Sequence, residues 1–163
     1  MAGNVLYPMS ELLDKHPNLF ALRERHHEHQ PRVLEGSIPR LGCFWRDTLH
    51  FTALHPQKIA EALNRFGYNI KLKYYEIEAK KLSSEKTIVF LNKSQKSGTP
   101  TKVSDFVLFD PNEVEKFAYI PEESMNYYQK NIPTSDEFLL NYRNPYILYK
   151  GNFNIEGAKI IEA

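Results

Sequence analysis

The pattern of apolar and polar positions is clearest between residues 48 and 66, where a strand-like alternation runs into a helix-like spacing. Alternation with a period of two places successive side chains on opposite sides of a strand. Residues 48–53 are therefore predicted to form a half-buried strand. Its buried face carries Leu49, Phe51 and Ala53, and its polar face carries Thr48, His50 and Thr52.

A helix is predicted directly after this strand. Pro56 suits the first helical position, and Gly67 suits the residue just beyond a helix end. Between them, apolar residues recur at the spacing of one helical face. That face consists of Ile59, Ala62, Leu63 and Phe66.

Helices are also predicted near both ends of the chain. Ser10 is expected to cap a short helix that Pro17 interrupts, and Asn18 to cap a second helix over residues 19–30. A turn of helix is predicted at 124–129, and Thr134 or Ser135 is expected to cap a helix over 137–142.

Runs rich in β-branched and aromatic residues, separated by turn-forming residues, predict the remaining strands. They cover residues 70–78, 86–91, 104–109, 117–120, 146–149 and 153–161, with exposed loops at 32–42 and 92–102. Strands and helices do not alternate regularly, which favours an α+β fold over a parallel α/β fold. We expect a single compact domain over residues 1–163, with helices packed on a mixed or antiparallel sheet.

Composition and charge narrow the functional classes. The formal net charge is +1, so no strong positive field favours nucleic acid. No apolar run of about twenty residues predicts a membrane span, and no basic-then-apolar leader is seen. The only cysteine, Cys43, cannot form an internal disulfide. We therefore expect a cytoplasmic protein, or one delivered into a reducing cytosol.

Metal and nucleophile chemistry find little support in the sequence. The run His26-His27-Glu28-His29 cannot converge on one ion from a helix, because neighbours point in different directions, so no metal is expected. Cys43 could pair with His50 or His55 as a nucleophile. Its apolar neighbours instead favour a buried cysteine.

The polar face of strand 48–53 is the more promising site. His and Thr side chains both donate and accept hydrogen bonds, so His50 and Thr52 could hold a ribose or an amide. The alternative is a polar outer face of a half-exposed strand, as antiparallel sheets commonly have.

Several segments between residues 45 and 120 follow a distinctive order. They are the His-x-Thr strand, the helix that follows it, the runs Tyr74-Tyr75-Glu76-Ile77 and Thr87-Ile88-Val89-Phe90, and the late runs Asp105-Phe106-Val107-Leu108-Phe109 and Phe117-Ala118-Tyr119-Ile120. This order resembles that of ADP-ribosyltransferase-like folds. The resemblance implies NAD as cofactor and a protein as substrate.

The resemblance also implies roles for particular residues. His50 and Thr52 would hold the nicotinamide and ribose, and Tyr74 or Tyr75 would stack on the nicotinamide. Arg46 would pair with the pyrophosphate or simply with Asp47. The catalytic Glu of the family has no match, because Phe106 stands at its position. Asp105 or Glu115 would then stabilise the ribosyl cation. A catalytically inactive relative that keeps the nucleotide pocket is the other outcome of the resemblance.

A non-enzymatic interaction module is the competing interpretation. Aromatic side chains beside cations are typical of protein-binding hot spots. Such a combination occurs in the C-terminal part of the chain, at Tyr127, Tyr128, Tyr142, Tyr146 and Tyr149, with Lys130, Arg143 and Lys150 nearby.

Overall fold

The computed structural model of the protein describes residues 3–24, 35–93, 102–131 and 138–163. These residues form helices and antiparallel sheets, so the predicted α+β class is confirmed. The α-helices are α1 Met9–Lys15, α2 Pro17–Glu24, α3 Pro56–Asn64 and α4 Glu122–Lys130. The strands are β1 Val5–Leu6, β2 Ser37–Ile38, β3 Cys43–Phe44, β4 Thr48–Phe51, β5 Lys73–Glu76, β6 Thr87–Phe90, β7 Phe106–Leu108, β8 Tyr146–Lys150, β9 Phe153–Asn154 and β10 Lys159–Glu162.

A four-stranded antiparallel sheet with the order β4-β8-β6-β7 lies at the centre of the described fold. His50 of β4 lies opposite Leu148 of β8, and Leu148 lies opposite Ile88 of β6. Directly paired residues share a face of the sheet. We call the face that carries these residues the His50 face, and the other the opposite face.

One turn of 3-10 helix precedes each of three strands in this sheet. The turns are Trp45–Asp47 before β4, Ser84–Lys86 before β6 and Val103–Asp105 before β7. Thr48 and Thr87, which follow the first two turns, each donate a hydroxyl hydrogen bond back, to the Trp45 carbonyl at 2.9 Å and the Ser83 carbonyl at 2.6 Å. Three of the four strands of this sheet therefore begin directly after a turn of 3-10 helix.

Both faces of the sheet are covered by apolar side chains. On the His50 face, Ile88, Phe90, Phe106 and Leu148 pack with Ile38 and Cys43 from the β2–β3 hairpin. On the opposite face, Val89, Ile147 and Tyr149 pack with Phe153 and Ile155 from the segment that follows β8. A third cluster joins the buried side of α3 to Leu72 and to Tyr128 of α4. Antiparallel pairs β1–β9 and β5–β10 extend the structure beyond the central sheet.

Helix α3 confirms the prediction for this segment. Pro56 is its first residue, the His55 side chain accepts a hydrogen bond from the Gln57 backbone N–H at 3.2 Å, and Gly67 follows with φ of 84°. Ile59, Ala62 and Leu63 are buried, as the spacing predicts.

The N-terminal helices begin earlier than predicted. Pro8, not Ser10, occupies the cap position of α1, because proline's fixed φ suits the start of a helix. The predicted break before Pro17 is confirmed, since His16 leaves the helical conformation. Helix α2 starts at Pro17 instead of after Asn18, and the part of the predicted helix beyond residue 24 lies outside the described residues.

Several strand and helix predictions need correction. The predicted strand 117–120 is wrong: Val114–Phe117 is a 3-10 turn, because Val114 and Phe117 pack three residues apart on the opposite face. The described part of the predicted helix 137–142 forms loop and turn, and the cap residues Thr134 and Ser135 lie outside the described residues.

The predicted strand 153–161 is two strands that pair with different partners, β1 and β5. Strand 70–78 shortens to β5, and the predicted loop 32–42 contains β2.

Candidate functional site

Three of the residues predicted to bind a nucleotide, Arg46, His50 and Thr52, lie in or next to β4, an edge strand of the central sheet. The His50 side chain is exposed, although it lies on a face whose central residues are buried. Its imidazole lies between two rings: the Trp45 indole, with centroids 5.4 Å apart, and the Tyr146 phenol, at 5.5 Å. The structure therefore fixes this histidine in an aromatic setting at the surface.

Thr52 lies where β4 ends. Its hydroxyl oxygen accepts a hydrogen bond from the Leu54 backbone N–H at 3.1 Å. This local bond forms a turn, so the strand ends at Phe51 and not at Ala53 as predicted. In this position Thr52 directs the chain towards the start of α3.

Arg46 lies in the 3-10 turn just before β4 and is exposed. Its guanidinium lies over the Phe44 ring, 5.4 Å from the centroid. The neighbouring Asp47 carboxylate instead accepts a hydrogen bond from the Phe44 backbone N–H at 2.8 Å, which closes the turn. The aspartate therefore has a structural role, and the arginine stays at the surface.

Tyr74 and Tyr75 point to opposite sides of β5. Tyr75 lies opposite Ile160 of β10 and is 40% exposed, on the side away from the third apolar cluster. Tyr74 packs against that cluster, where burial raises the pKa of its phenol and a hydrogen bond with Asn141 opposes this shift. Of the two, only Tyr74 is directed into the fold.

Tyr146 connects His50 with this interior. Its hydroxyl donates to the Asn141 carbonyl at 3.4 Å, so Tyr146 and Tyr74 both bond to Asn141. Burial raises the pKa of Tyr146 to about 12, and the Tyr128 and Tyr74 phenols add to that effect. A path of aromatic and amide side chains thus runs inward from His50.

Asp105, predicted as a catalytic carboxylate, lies away from β4. It precedes β7, three strand positions across the sheet, which corresponds to roughly 14 Å at the usual strand spacing. The carboxylate is buried and accepts a hydrogen bond from the Lys102 backbone N–H at 2.6 Å. Its observed role is to close the 3-10 turn before β7, as Asp47 does before β4.

Glu115, the second predicted carboxylate, is exposed in the 3-10 turn Val114–Phe117. Val114 and Phe117 of this turn pack on the opposite face of the sheet. The structure therefore brings neither predicted carboxylate to the His50 face, whereas it does bring Trp45, His50 and Tyr146 together there.

The C-terminal tyrosines predicted as a binding surface lie largely inside the fold. Tyr128 and Tyr149 are buried, and the Tyr128 hydroxyl donates to the Leu140 carbonyl at 2.5 Å. The Tyr127 ring stacks on Tyr142 with centroids 4.3 Å apart. Tyr128 is therefore inaccessible to a partner, and only part of the Tyr127 and Tyr142 rings is accessible.

Cys43 is buried beside Ile38, and burial raises the pKa of its thiol. A neutral buried thiol is a poor nucleophile, which agrees with the expected structural role. The run 26–29 lies outside the described residues, and within those residues no group of three or more His, Cys, Asp or Glu side chains is placed to hold a metal. No helix in the described part of the chain is long and apolar enough to span a membrane.

Two surface cavities lie on either side of α3, away from His50. One of about 170 Å³ is lined by Ala60, Asn64 and Ile70, among others. The other, of about 320 Å³, lies between α3 and the segment that enters α4. Sequence reasoning missed both the second cavity and the role of Tyr146, because each depends on residues distant in the chain that only the fold brings together.

Comparisons with known proteins identify no relative. No protein-family model matches the chain, and no curated protein or solved structure shows significant similarity to it.

Proposed function

We propose that the protein binds NAD, or a closely related nicotinamide nucleotide, at the His50 face and does not transfer ADP-ribose. The observation that carries the proposal is the exposed imidazole of His50, held between the Trp45 and Tyr146 rings on an edge strand. NAD is proposed as the ligand because the order of elements resembles that of ADP-ribosyltransferase-like folds. Binding without transfer is proposed because of the positions of the two predicted carboxylates.

The chemistry around His50 is suited to a nicotinamide nucleotide. The imidazole can exchange hydrogen bonds with a carboxamide or a ribose hydroxyl. The Trp45 and Tyr146 rings offer apolar surface next to it. Arg46, one residue before Asp47 on the turn that enters β4, can turn from the Phe44 ring towards a phosphate. When bound, NAD would supply an ADP-ribosyl group whose bond to nicotinamide can be broken.

The positions of the acidic residues favour binding without transfer. A developing ribosyl cation needs a carboxylate within a few ångströms, because electrostatic stabilisation depends on placement. Asp105 is held by the Lys102 N–H beside the far edge strand, and the turn of Glu115 packs on the opposite face. The two carboxylates that the sequence suggests are thus too distant for that role.

Trp45, the only tryptophan, makes the proposal directly testable by fluorescence. NAD should change its emission in a saturable way, because the ligand would lie against the ring that contacts His50. His50→Ala should weaken binding about tenfold, as expected for the loss of about 1.4 kcal/mol of hydrogen bonding. Tyr75→Phe, on the outer side of β5, should bind NAD like the wild type.

Calorimetry with millimolar NAD should agree with the fluorescence. Absence of both signals for the wild-type protein would contradict the proposal, as would equal affinity of the wild type and the His50→Ala variant. Label transfer from NAD to proteins of a lysate would show a transferase and would overturn the binding-only function.

A further inference from the structure

The larger cavity beside α3 has the features of a second ligand site. It has a volume of about 320 Å³, at the lower end of the range of about 300 to 1,000 Å³ for small-molecule sites. Helix α3 forms one wall, and residues 118–125 form the other. It shares no residue with the His50 face.

Helix α3 presents cations to this cavity. Lys58, Glu61 and Arg65 are three to seven residues apart and so lie along one side of the helix, while Ile59 and Leu63 enter the core. The Lys58 ammonium donates to the Ala118 carbonyl at 3.1 Å, which holds it at the rim. The position of one positive charge is therefore defined by the fold.

The other two charged side chains at the rim, Glu61 and Arg65, differ in their hydrogen bonding. The Glu61 carboxylate accepts a hydrogen bond from the Gln57 amide at 3.0 Å, which occupies it along the helix. The Arg65 guanidinium makes no hydrogen bond or ion pair with the described residues. Two cations, one of which has no side-chain partner among the described residues, thus face one hydrogen-bonded carboxylate.

The other wall of the cavity is apolar and aromatic. Ile120 and Met125 pack with their inner sides on the third apolar cluster. Tyr119 lies next to them and is 46% exposed, so part of its ring is open to solvent. A flat ring could lie against these three side chains while an attached anion reaches Arg65.

We propose that this cavity binds a small organic anion whose acidic group is attached to an aromatic ring, such as an aryl phosphate or aryl carboxylate. The guanidinium of Arg65 binds the anion, since planar guanidinium groups pair well with phosphate and carboxylate oxygens. Tyr119, Ile120 and Met125 bind the ring. Lys58 contributes positive charge at the rim.

Phenyl phosphate is the probe for this site. Added to the isotope-labelled full chain, it should shift the backbone amide signals of residues 58–65 and 118–125 in a saturable way. Arg65→Gln should weaken its binding about tenfold, the effect of losing a charge-assisted hydrogen bond of about 1.4 kcal/mol. Arg40→Gln is the matched control, because Arg40 is exposed in the β2–β3 hairpin and should leave the affinity unchanged.

Four further measurements make the result decisive. Benzyl alcohol and inorganic phosphate, each carrying only one half of the probe, should both bind more weakly than phenyl phosphate. Tyr119→Ala should weaken phenyl phosphate binding and His50→Ala should not, so that failure of this site and failure of NAD binding are distinguishable.

The absence of shifts at millimolar phenyl phosphate would overturn the proposal. Equal binding by the wild type and a folded Arg65→Gln variant, verified by its thermal unfolding, would overturn it too. If benzyl alcohol bound as tightly as phenyl phosphate, the site would be apolar and the role of the anion would be wrong.

Discussion

Asp105 illustrates at the scale of one residue how a carboxylate can serve the fold. Its side chain is buried and closes the turn before β7 by accepting the Lys102 N–H. Asp47 does the same for the turn before β4, by accepting the Phe44 N–H. Because such caps depend on a short acceptor side chain at a fixed position, this geometry explains an aspartate at both sites.

Removing the Asp105 cap should therefore reduce stability and leave ligand binding intact. Asp105→Ala should lower the free energy of unfolding by about 1 to 2 kcal/mol, as loss of a capping side chain does. Glu115→Gln, at the other predicted carboxylate, should change it by less than about 0.5 kcal/mol because Glu115 is exposed. Urea unfolding measures both. If Asp105→Ala kept its stability but lost NAD binding, Asp105 would instead belong to the NAD site.

Helix α4 shows at the scale of elements how buried polar side chains fix a segment that lacks regular structure. The Ser124 hydroxyl lies 2.5 Å from the Tyr142 carbonyl and 3.0 Å from the Asn144 side-chain oxygen. The Asn144 amide in turn donates to the Tyr128 hydroxyl at 3.4 Å. Since Ser124, Tyr128 and Asn144 are fully buried, these bonds attach residues 140–144 to the helix.

Asn144→Ala should consequently be one of the more damaging single substitutions. It removes the amide bonds to the Ser124 and Tyr128 hydroxyls, each of which keeps its carbonyl acceptor, and it leaves a cavity, so the expected cost is about 1 to 3 kcal/mol in total. Asn126→Ala, the same change on the exposed side of α4, should be neutral within about 0.5 kcal/mol. Chemical denaturation distinguishes the two. A neutral Asn144→Ala would show that water replaces the amide without loss.

The elements differ in how far the sequence could predict them. Helix α3 was predictable because its cap, apolar spacing and terminal glycine all lie within about a dozen residues. The predicted strand 117–120 is wrong because its first residue, Phe117, ends the 3-10 turn Val114–Phe117, whose apolar side chains contact the distant core cluster. The strands of residues 153–161 separate because their partners, β1 and β5, lie far apart in the chain.

The candidate site follows the same rule. The alternation of β4 placed His50 at the surface, as it is observed. Its neighbour Tyr146 lies almost a hundred positions away in the chain and comes beside it only through pairing of β4 with β8. Local patterns contain no information on such pairing.

Buried tyrosines make the stability of the whole molecule sensitive to alkaline pH. Burial raises the pKa of Tyr74 and Tyr128, and that of Tyr146 to about 12. In the unfolded chain a tyrosine ionises near pH 10. Between these values the unfolded state loses a proton that the folded state keeps, so unfolding becomes more favourable as the pH rises.

As far as these groups determine it, the free energy of unfolding should be constant below pH 10 and should fall above pH 10. Tyr146 alone should lower the free energy of unfolding by about 1.4 kcal/mol for each pH unit up to about 12. Tyr146→Phe should remove this part of the slope at little cost near neutral pH, since its hydrogen bond is long at 3.4 Å. Equal slopes for wild type and Tyr146→Phe, measured by denaturant titration, would contradict the effect of burial.

The strand order β4-β8-β6-β7 also governs when the molecule can assemble on the ribosome. The β6–β7 pair has both of its strands by residue 108, but β4 and β6 are joined only by β8, at Tyr146–Lys150. Closing such a long loop is slow compared with local pairing. During synthesis β4 must therefore remain unpaired by β8 until about a hundred further residues have been added.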